Sequence, residues 1–383
     1  MHVRDKFSDD DRVVSFSPKL EGFLRRQVNK LTNRNPLVPT YTYNLNKRVK
    51  PNSNILVPKS SSNSVAVIHW IDGFLDVKSI RAIVDSFNGS VCWVIHDLEP
   101  FTGGCHYSFT CQGYLTECGC CPQLRSVKKI DHSSRTWNQK KQLLSSSPLH
   151  FIATTSWGVT RLRESSLFRN HSVTVIPLPI DTEIFHLGST SAAREILQID
   201  QSATVLLCGA FYLDDIRKGF KELSMALRLL DKSLISDLIL LVVGLNNNEA
   251  FHDLPIPVRF LGEVSDQHKM SMIYQAADMF LCPSLEESGP MMIPESMLCG
   301  TPVVAFNTGG APDWIDHLAN GYLVVNGDIP GFTQGIATML KMSKSGLSIS
   351  ARTKAVALHS PGNVALQHHR LYSNLLKIDA TNN

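Results

Sequence analysis

The amino-acid sequence predicts an α/β protein with two parallel β-sheets. Short apolar runs rich in β-branched residues alternate with longer stretches of helical spacing, such as Phe220 to Leu230 and His268 to Ala277. Strands and helices that alternate in this way build parallel sheets with helices on both faces. The chain has 383 residues, which exceeds the ~100–200 residues of one domain, so two sheets fit the pattern better than one.

The predicted strands are apolar throughout because strands of a parallel sheet are buried on both faces. They are Val65–Ile68, Val91–Ile95, Phe151–Thr155, Val173–Ile176, Thr204–Cys208, Leu238–Val243, Val258–Leu261, Met279–Cys282 and Pro302–Phe306.

The join between the two sheets is predicted near residues 180–200. Pro177, Pro179 and the small polar run Gly188 to Ser191 interrupt the strand–helix alternation there, and such residues are typical of connections between domains. The predicted organisation is an amino-terminal domain (1–185), a carboxy-terminal domain (186–360) and a terminal helix that braces the first domain (361–383).

The first 60 residues do not follow this pattern. They contain one glycine, Gly22, and no apolar strand that leads into a Gly-rich turn. A short basic helix is predicted at residues 20–33, with Leu24, Val28 and Leu31 on one face. This helix is either a membrane-surface helix or an ordinary solvated one.

Composition excludes several classes of protein. Charged residues make up 19% of the chain and hydrophobic residues 43%, which is too apolar a balance for disorder as the main state. The net charge of 37 − 34 = +3 is too small for a protein that coats nucleic acid, so no nucleic-acid partner is expected. No apolar run approaches the ~20 residues that span a bilayer, and the charged opening sequence is unlike a secretion signal. We therefore expect a cytoplasmic protein that is at most peripheral at the inner face of the membrane.

The most informative segment is 279–313, which reads as strand, polar turn, helix, Gly-Thr-Pro break, strand and Gly-Gly turn. A helix that begins near Pro290 or Met291 would direct backbone N–H groups and positive dipole character toward the crevice above the sheet, where an anion such as a diphosphate can bind. Glu287 precedes this helix and Glu295 lies within it. A carboxylate can accept hydrogen bonds from two neighbouring sugar hydroxyls, whereas either glutamate alone would be an ordinary surface charge.

This segment resembles the signature of the family 4 retaining glycosyltransferases, in which Glu-x7-Glu precedes a Gly-Thr-Pro-Val-Val strand and a Gly-Gly turn. Both glutamates and these turns stand in register here, and further matches lie between residues 65 and 330. They are Val175–Asp181 with Phe185, Arg217-Lys218-Gly219, Phe260-Leu261-Gly262, Cys299–Val304, Gly309-Gly310 and Gly321–Val324.

The resemblance implies the GT-B arrangement, in which two Rossmann-like domains face each other across a cleft, and it implies roles for site residues. Glu295 would bind the ribose of a nucleotide sugar, Glu287 would contact the donor sugar, and Lys218 would neutralise the departing phosphate. The family usually has an arginine after the glycine that closes the first strand of this domain, but Ala210 stands there. Arg217 is its natural substitute, with a solvated loop cation as the alternative. The backbone that would face the diphosphate belongs to Ser288, Gly289, Pro290, Met291 and Met292.

Two histidines follow predicted strands of the amino-terminal half. His96 follows Val94-Ile95, and residues at the carboxyl ends of parallel strands line the ligand crevice of such sheets. In the resembling enzymes a histidine at this place contacts the donor sugar or its leaving group. His69 ends another strand and is assigned to the acceptor side or to a structural role.

A cysteine-rich loop at residues 100–125 resembles that of a subgroup of these transferases from exopolysaccharide gene sets, including colanic-acid-type enzymes. Its motif is Pro100-Phe101-Thr102-Gly103-Gly104-Cys105-His106-Tyr107, followed by more cysteines. Four thiolates this close in sequence, at Cys105, Cys111, Cys118 and Cys121, could hold a structural zinc ion. Free thiols in a packed loop and disulfides remain open as alternatives.

The resemblance implies a retaining transferase of polysaccharide biosynthesis. It would move a sugar from a nucleoside-diphosphate sugar to a saccharide or lipid-linked saccharide acceptor. No cofactor or metal is expected for the chemistry, because Lys218, Arg217 and backbone amides can neutralise the phosphates. Resembling enzymes open with a strand, a Gly-rich turn and a helix that have no counterpart before Val65, so the amino-terminal domain is expected to be truncated. The alternative function is therefore a catalytically impaired nucleotide-sugar-binding protein from a shortened gene.

Two other classes of protein are alternatives to a glycosyltransferase. A nicotinamide-dependent oxidoreductase is disfavoured because no Gly-x-Gly-x-x-Gly follows a predicted strand. An interaction protein that uses the cysteine-rich loop would retain its role after Glu287→Ala.

Overall fold

A computed structural model describes residues 2–3, 14–15, 63–71, 74–246 and 249–381, with side chains described for 63–71, 74–246 and 249–376. The basic helix predicted at 20–33 lies outside the described residues. The contacts divide the chain into two compact units. The first comprises the chain up to Thr154, Gly158–Val175 and the chain from His369 onward, and the second comprises Thr155–Trp157 and Ile176–His368. The boundary predicted after residue 185 thus lies inside the second unit.

The first unit contains a parallel sheet of four strands in sequential order, β3-β4-β5-β6. The strands are β3 (Val65–Ile68), β4 (Ser90–Ile95), β5 (Leu149–Ala153) and β6 (Ser172–Val175). A separate parallel pair joins β1 (His2–Val3) to β2 (Val14–Ser15). The helices that begin or end in this unit are Val77–Ser86, His132–Leu144, Ser156–Glu164 and Pro361–Thr381. The β4 residues Val91 to Ile95 are all buried, which explains their unbroken apolar sequence.

The second unit contains a parallel sheet of six strands in the order β12-β11-β10-β7-β8-β9. Its strands are β7 (Thr204–Tyr212), β8 (Leu238–Leu245), β9 (Val258–Gly262), β10 (Met279–Cys282), β11 (Val303–Phe306) and β12 (Gly321–Val324). Its helices are Thr190–Ile196, Phe220–Arg228, Gln267–Ala276, Met292–Leu298, Ala311–Trp314, Ile329–Leu340 and Lys344–His359.

Side chains of successive residues in the central strands pack into two separate hydrophobic cores. In β7, Val205 and Leu207 pack into one core, while Leu206 and Cys208 pack into the other. Because side chains alternate across a sheet, both faces of β7 are covered, and its apolar run is continuous for that reason. Each fully buried leucine or valine contributes roughly 1.5–3 kcal/mol to the stability of the second unit.

The observed elements confirm each predicted strand and correct several details. The strand predicted at 151–155 runs from Leu149 to Ala153, and β7 continues to Tyr212. Gly321–Val324 was predicted only as a motif, yet it is an edge strand paired with β11. Four residues that begin with glycine have too weak a strand pattern for sequence reasoning, because pairing with β11 is what makes them a strand.

Candidate functional site

Two loops of the second unit meet beyond the carboxyl ends of neighbouring strands. The first follows β7 and contains the 3-10 turn Ile216–Lys218; the second follows β10 and contains Glu287. The Leu285 N–H donates to the Arg217 carbonyl at 2.7 Å. Gly219 has φ +66°, and a Cβ atom there would overlap the Pro283 carbonyl oxygen. Glycine is therefore required at 219, both for the left-handed backbone and for the close approach of the two loops.

The side chains of these loops form a cluster of alternating charges. Lys218 Nζ pairs with Glu287 Oε1, and an Arg217 guanidinium nitrogen lies 3.9 Å from the same oxygen. Arg217 also pairs with Asp215 at 2.5 Å, and the Asp215 carboxylate accepts from the Arg217 N–H at 3.0 Å. Arg217, Asp215 and Glu287 are all buried. The alternative that Arg217 is a solvated loop cation is therefore wrong, because its guanidinium lies between two carboxylates.

Sequence reasoning missed Asp215 as a member of this cluster. The signal available was a carboxylate two residues before Arg217, which is a common position for a side chain that caps a short turn. A burial argument was needed to separate it from exposed Asp214 beside it.

The Gly-Gly turn after β11 packs against Glu287. Gly309 has φ +57°, and a Cβ atom there would lie 2.6 Å from the Glu287 carbonyl oxygen and 3.1 Å from its Cβ. A side chain at 309 would thus push the Glu287 backbone away from Lys218. The Gly-Gly motif is explained by this contact, since it lets two loops meet at backbone distance.

The helix that carries Glu295 was predicted to begin near Pro290 or Met291. It begins at Met292, and Met291 is its N-cap residue. Ser288 precedes it and is buried; its carbonyl accepts from the Thr155 hydroxyl at 2.9 Å. Gly289, Pro290, Met291 and Met292 are half-buried. The segment predicted to face the diphosphate is therefore a tight turn between Glu287 and the helix.

Glu295 has a different environment from Glu287. The Tyr274 hydroxyl donates to its carboxylate at 2.9 Å. Burial raises the pKa of Glu295 to about 7, and the hydrogen bond from Tyr274 opposes this rise. A carboxyl group with this pKa exchanges its proton near neutral pH. Such a perturbed group next to a helix terminus is typical of functional sites.

His96 lies in the first unit, directly after β4. A pocket there is lined by both histidines of the sequence prediction, His69 and His96, together with Trp70, Asp97 and His106. The two predicted histidines are 3.3 Å apart between ring nitrogens. Burial lowers the pKa of His96, and the adjacent Asp97 carboxylate opposes this shift, so His96 is neutral at pH 7.

Two buried polar pairs, one of them the Lys140–Glu99 ion pair, hold the chain that follows His96. Asp97 lies 2.8 Å from His106 Nδ1, and Lys140 Nζ lies 2.9 Å from the Glu99 carboxylate. Lys140 is fully buried. Breaking a buried pair of this kind costs about 3–5 kcal/mol. Sequence reasoning did not identify these four residues as buried pairs, because the sequence does not show which polar side chains face inward.

The four cysteines predicted to bind zinc lie in one loop of the first unit between β4 and helix His132–Leu144. All are free thiols. In the described part of the chain, no three His, Cys, Asp or Glu side chains are arranged as ready ligands of a metal ion. The described helices include none that is both long and apolar enough to cross a bilayer.

The second unit is similar in sequence to known glycosyltransferases. Residues 192–356 match the family model of the glycosyl transferases group 1. A D-inositol 3-phosphate glycosyltransferase of Saccharomonospora viridis is 31% identical over 171 residues, which cover 41% of this chain and 39% of that protein. An uncharacterized glycosyltransferase of Haemophilus influenzae is 26% identical over 148 residues, or 37% and 41% of the two chains. The chain thus spans less than half the length of these curated relatives.

Solved structures extend the likeness to both units. Sucrose-phosphate synthase from Thermosynechococcus elongatus superposes with a TM-score of 0.64 at 20% identity, covering 82% of this chain and 74% of that one. Anabaena HepE in complex with UDP superposes with a TM-score of 0.60 at 17% identity, covering 94% and 85%. The fold is that of the GT-B glycosyltransferases, as predicted. Family 4 and the colanic-acid-type subgroup stay predictions.

Proposed function

We propose that this chain is a retaining glycosyltransferase of family 4 that takes its sugar from a nucleoside-diphosphate sugar. The observation that supports this most is the cluster of Arg217, Lys218 and Glu287 beside the turn that leads into the Glu295 helix. These are the residues that the family motif would bring to a donor. The match of residues 192–356 supports the same class, and the Anabaena neighbour is known in complex with UDP-glucose.

Binding of the donor is proposed to replace the Lys218–Glu287 ion pair by contacts of both residues with the donor. A diphosphate bound at residues 288–292 attracts Lys218, which then leaves Glu287 free to accept from hydroxyls of the donor sugar. Arg217 stays paired with Asp215, and its guanidinium adds a second positive charge near the diphosphate. Since negative charge grows on the diphosphate as the glycosidic bond breaks, these cations stabilise the transition state more than the ground state. No metal is proposed for this chemistry.

Glu295 is proposed to bind the ribose. Two neighbouring hydroxyls that donate to its carboxylate favour the ionised form, so the donor lowers the pKa of Glu295. Binding should consequently strengthen as the pH rises from 6 to 8. Glu295→Gln removes this dependence because an amide does not titrate.

His96 is proposed to contact the donor sugar or its leaving group as a neutral hydrogen-bonding group, and His69 beside it belongs to the acceptor side. The acceptor is proposed to be a saccharide, lipid-linked, in exopolysaccharide biosynthesis at the inner face of the membrane. The support for this part is the resemblance of the Cys105–Cys121 loop alone.

The test is thermal unfolding of the full chain with UDP, GDP and ADP sugars, followed by measurement of nucleotide release with saccharide acceptors. A ligand at 100 times its Kd stabilises by about 2.7 kcal/mol, which a melting experiment resolves. Stabilisation by one nucleotide class, with release and an unchanged anomeric configuration, supports the proposal. Stabilisation without release on any acceptor indicates the impaired nucleotide-sugar binder. Stabilisation by no donor overturns both.

A further inference from the structure

The loop between β4 and helix His132–Leu144 has little regular structure of its own. Its described elements are three 3-10 turns of three residues each, Glu99–Phe101, Gly113–Leu115 and Pro122–Leu124. The left-handed region is occupied at three residues other than glycine, Phe109 (φ 52°), Cys120 (φ 46°) and Arg125 (φ 49°). Backbone of this kind persists only where other contacts impose it.

Four of its five thiols are neighbours in space. The Cys118 sulfur accepts a hydrogen bond from the Gly103 N–H, which places it beside the segment that carries Cys105. A Cβ atom on Gly113 would lie 3.6 Å from both Cys111 Sγ and Cys118 Cα. Cys121 follows Cys118 by three residues. Each link includes Cys118, so this residue lies at the centre of the group.

The Cys121 sulfur lies beside two backbone donors, which oppose the rise in pKa that burial causes. It accepts hydrogen bonds from the backbone N–H groups of Gln123 and Leu124, at the start of the turn Pro122–Leu124. Two N–H groups that point at one sulfur stabilise negative charge on it. The same turn is held from outside, because the Cys121 N–H donates to Asp131 at 2.9 Å.

Four thiolates as close together as these would repel one another, whereas a divalent ion at their centre would attract all four.

We propose that Cys105, Cys111, Cys118 and Cys121 bind one zinc ion that closes this loop. Each thiol releases its proton to solvent and rotates toward a common centre, since tetrahedral coordination by four sulfurs is the usual geometry of structural zinc. The fifth thiol of the loop, Cys120, lies within the same turn but is exposed and is excluded from the set. The proposal is independent of the sugar-transfer reaction.

The first measurement is the metal content of the full chain purified under reducing conditions without chelators. About one zinc per chain is expected. Reconstitution with Co²⁺ should produce the thiolate-to-cobalt absorption of a tetrathiolate site. A chain that holds no zinc and shows no such absorption with added Co²⁺ overturns the proposal, whether its thiols are free or paired as disulfides in a non-reducing mass spectrum.

The second measurement compares three variants. Cys118→Ala should lose the metal and lower the melting temperature, whereas Cys120→Ala should keep both at the wild-type level. Cys118→His retains a zinc ligand and should keep the metal. Equal zinc in Cys118→Ala and wild type overturns the proposal. If Cys118→Ala does not fold, the cobalt spectrum of Cys118→His decides, because replacement of one sulfur must weaken and shift the thiolate absorption.

Discussion

Two carboxylates of the second unit, eight positions apart in sequence, lie in opposite environments. Glu287 is in the turn after β10 and is buried against Lys218 and Arg217. Glu295 is in the helix Met292–Leu298, where the Tyr274 hydroxyl donates to its carboxylate and burial raises its pKa to about 7. The same residue type is thus paired with cations in one region and is a buried carboxyl group with a raised pKa in the other. The difference shows that surroundings, not residue type, assign the roles at this site.

The largest expected effect comes from removing the charge at Glu287. Glu287→Gln leaves Lys218 and buried Arg217 facing each other without their shared carboxylate, and we expect a loss of about 3 kcal/mol in the free energy of unfolding. Nucleotide release should fall by about 100-fold or more. Chemical denaturation and a coupled release assay measure the two effects.

The matched control for this change is Glu263→Gln, which removes a carboxylate from an exposed position of the same unit. It should change the free energy of unfolding by about 0.5 kcal/mol or less. Equal destabilisation by the two variants would contradict the ion cluster around Glu287.

Asp215→Asn tests whether Arg217 needs its second carboxylate. Removing the charge from this buried pair should cost about 2 kcal/mol, and the guanidinium should move toward Glu287. The exposed neighbour provides the control, because Asp214→Asn should be close to neutral. Denaturant unfolding measures both variants, and a neutral Asp215→Asn would show that Glu287 alone orients Arg217.

Glu295→Gln tests the titrating region through pH. The folded-state pKa of Glu295 is raised to about 7, above the ~4.3 expected in an unfolded chain. Between these values the folded state binds the extra proton, so the free energy of unfolding falls as the pH rises through this window. Between pH 5 and pH 8 the free energy of unfolding of wild type should fall by about 2.5 kcal/mol more than that of Glu295→Gln. Parallel pH profiles would contradict the raised pKa.

Tyr274→Phe should have the smallest effect. Loss of the hydroxyl removes one hydrogen bond, worth about 1 kcal/mol, and should raise the pKa of Glu295 further because that bond lowers it. Carbon-detected NMR titration of Glu295 measures the shift. A double-mutant cycle with Glu295→Gln gives the coupling energy, and a pKa of Glu295 that does not move would show that burial alone sets it.

Sequence reasoning succeeded where a short stretch of residues by itself indicated the local structure. The apolar runs of β7, β10 and β11 required burial on both faces, and the motifs that contain Gly219 and Gly309 pointed to turns, which the structure forms with a left-handed backbone. It did not identify Asp215, the pairing of Lys140 with Glu99, or the contact of Tyr274 with Glu295. Each of these depends on which element packs beside which, and a polar residue at one position reveals nothing about its distant partner.

The amino-acid sequence alone determined the parallel strands and their α/β class, and its resemblance to a known family supplied the candidate set of Glu287, Glu295, Arg217 and Lys218. Hydrophobic periodicity and backbone stereochemistry are local, so they can be read without coordinates. Only the tertiary structure decided that Arg217 is buried between two carboxylates and that Glu295 exchanges its proton near neutral pH. Burial, charge proximity and hydrogen bonds between distant residues are properties of the whole fold, and together they set the energy of an ionised group.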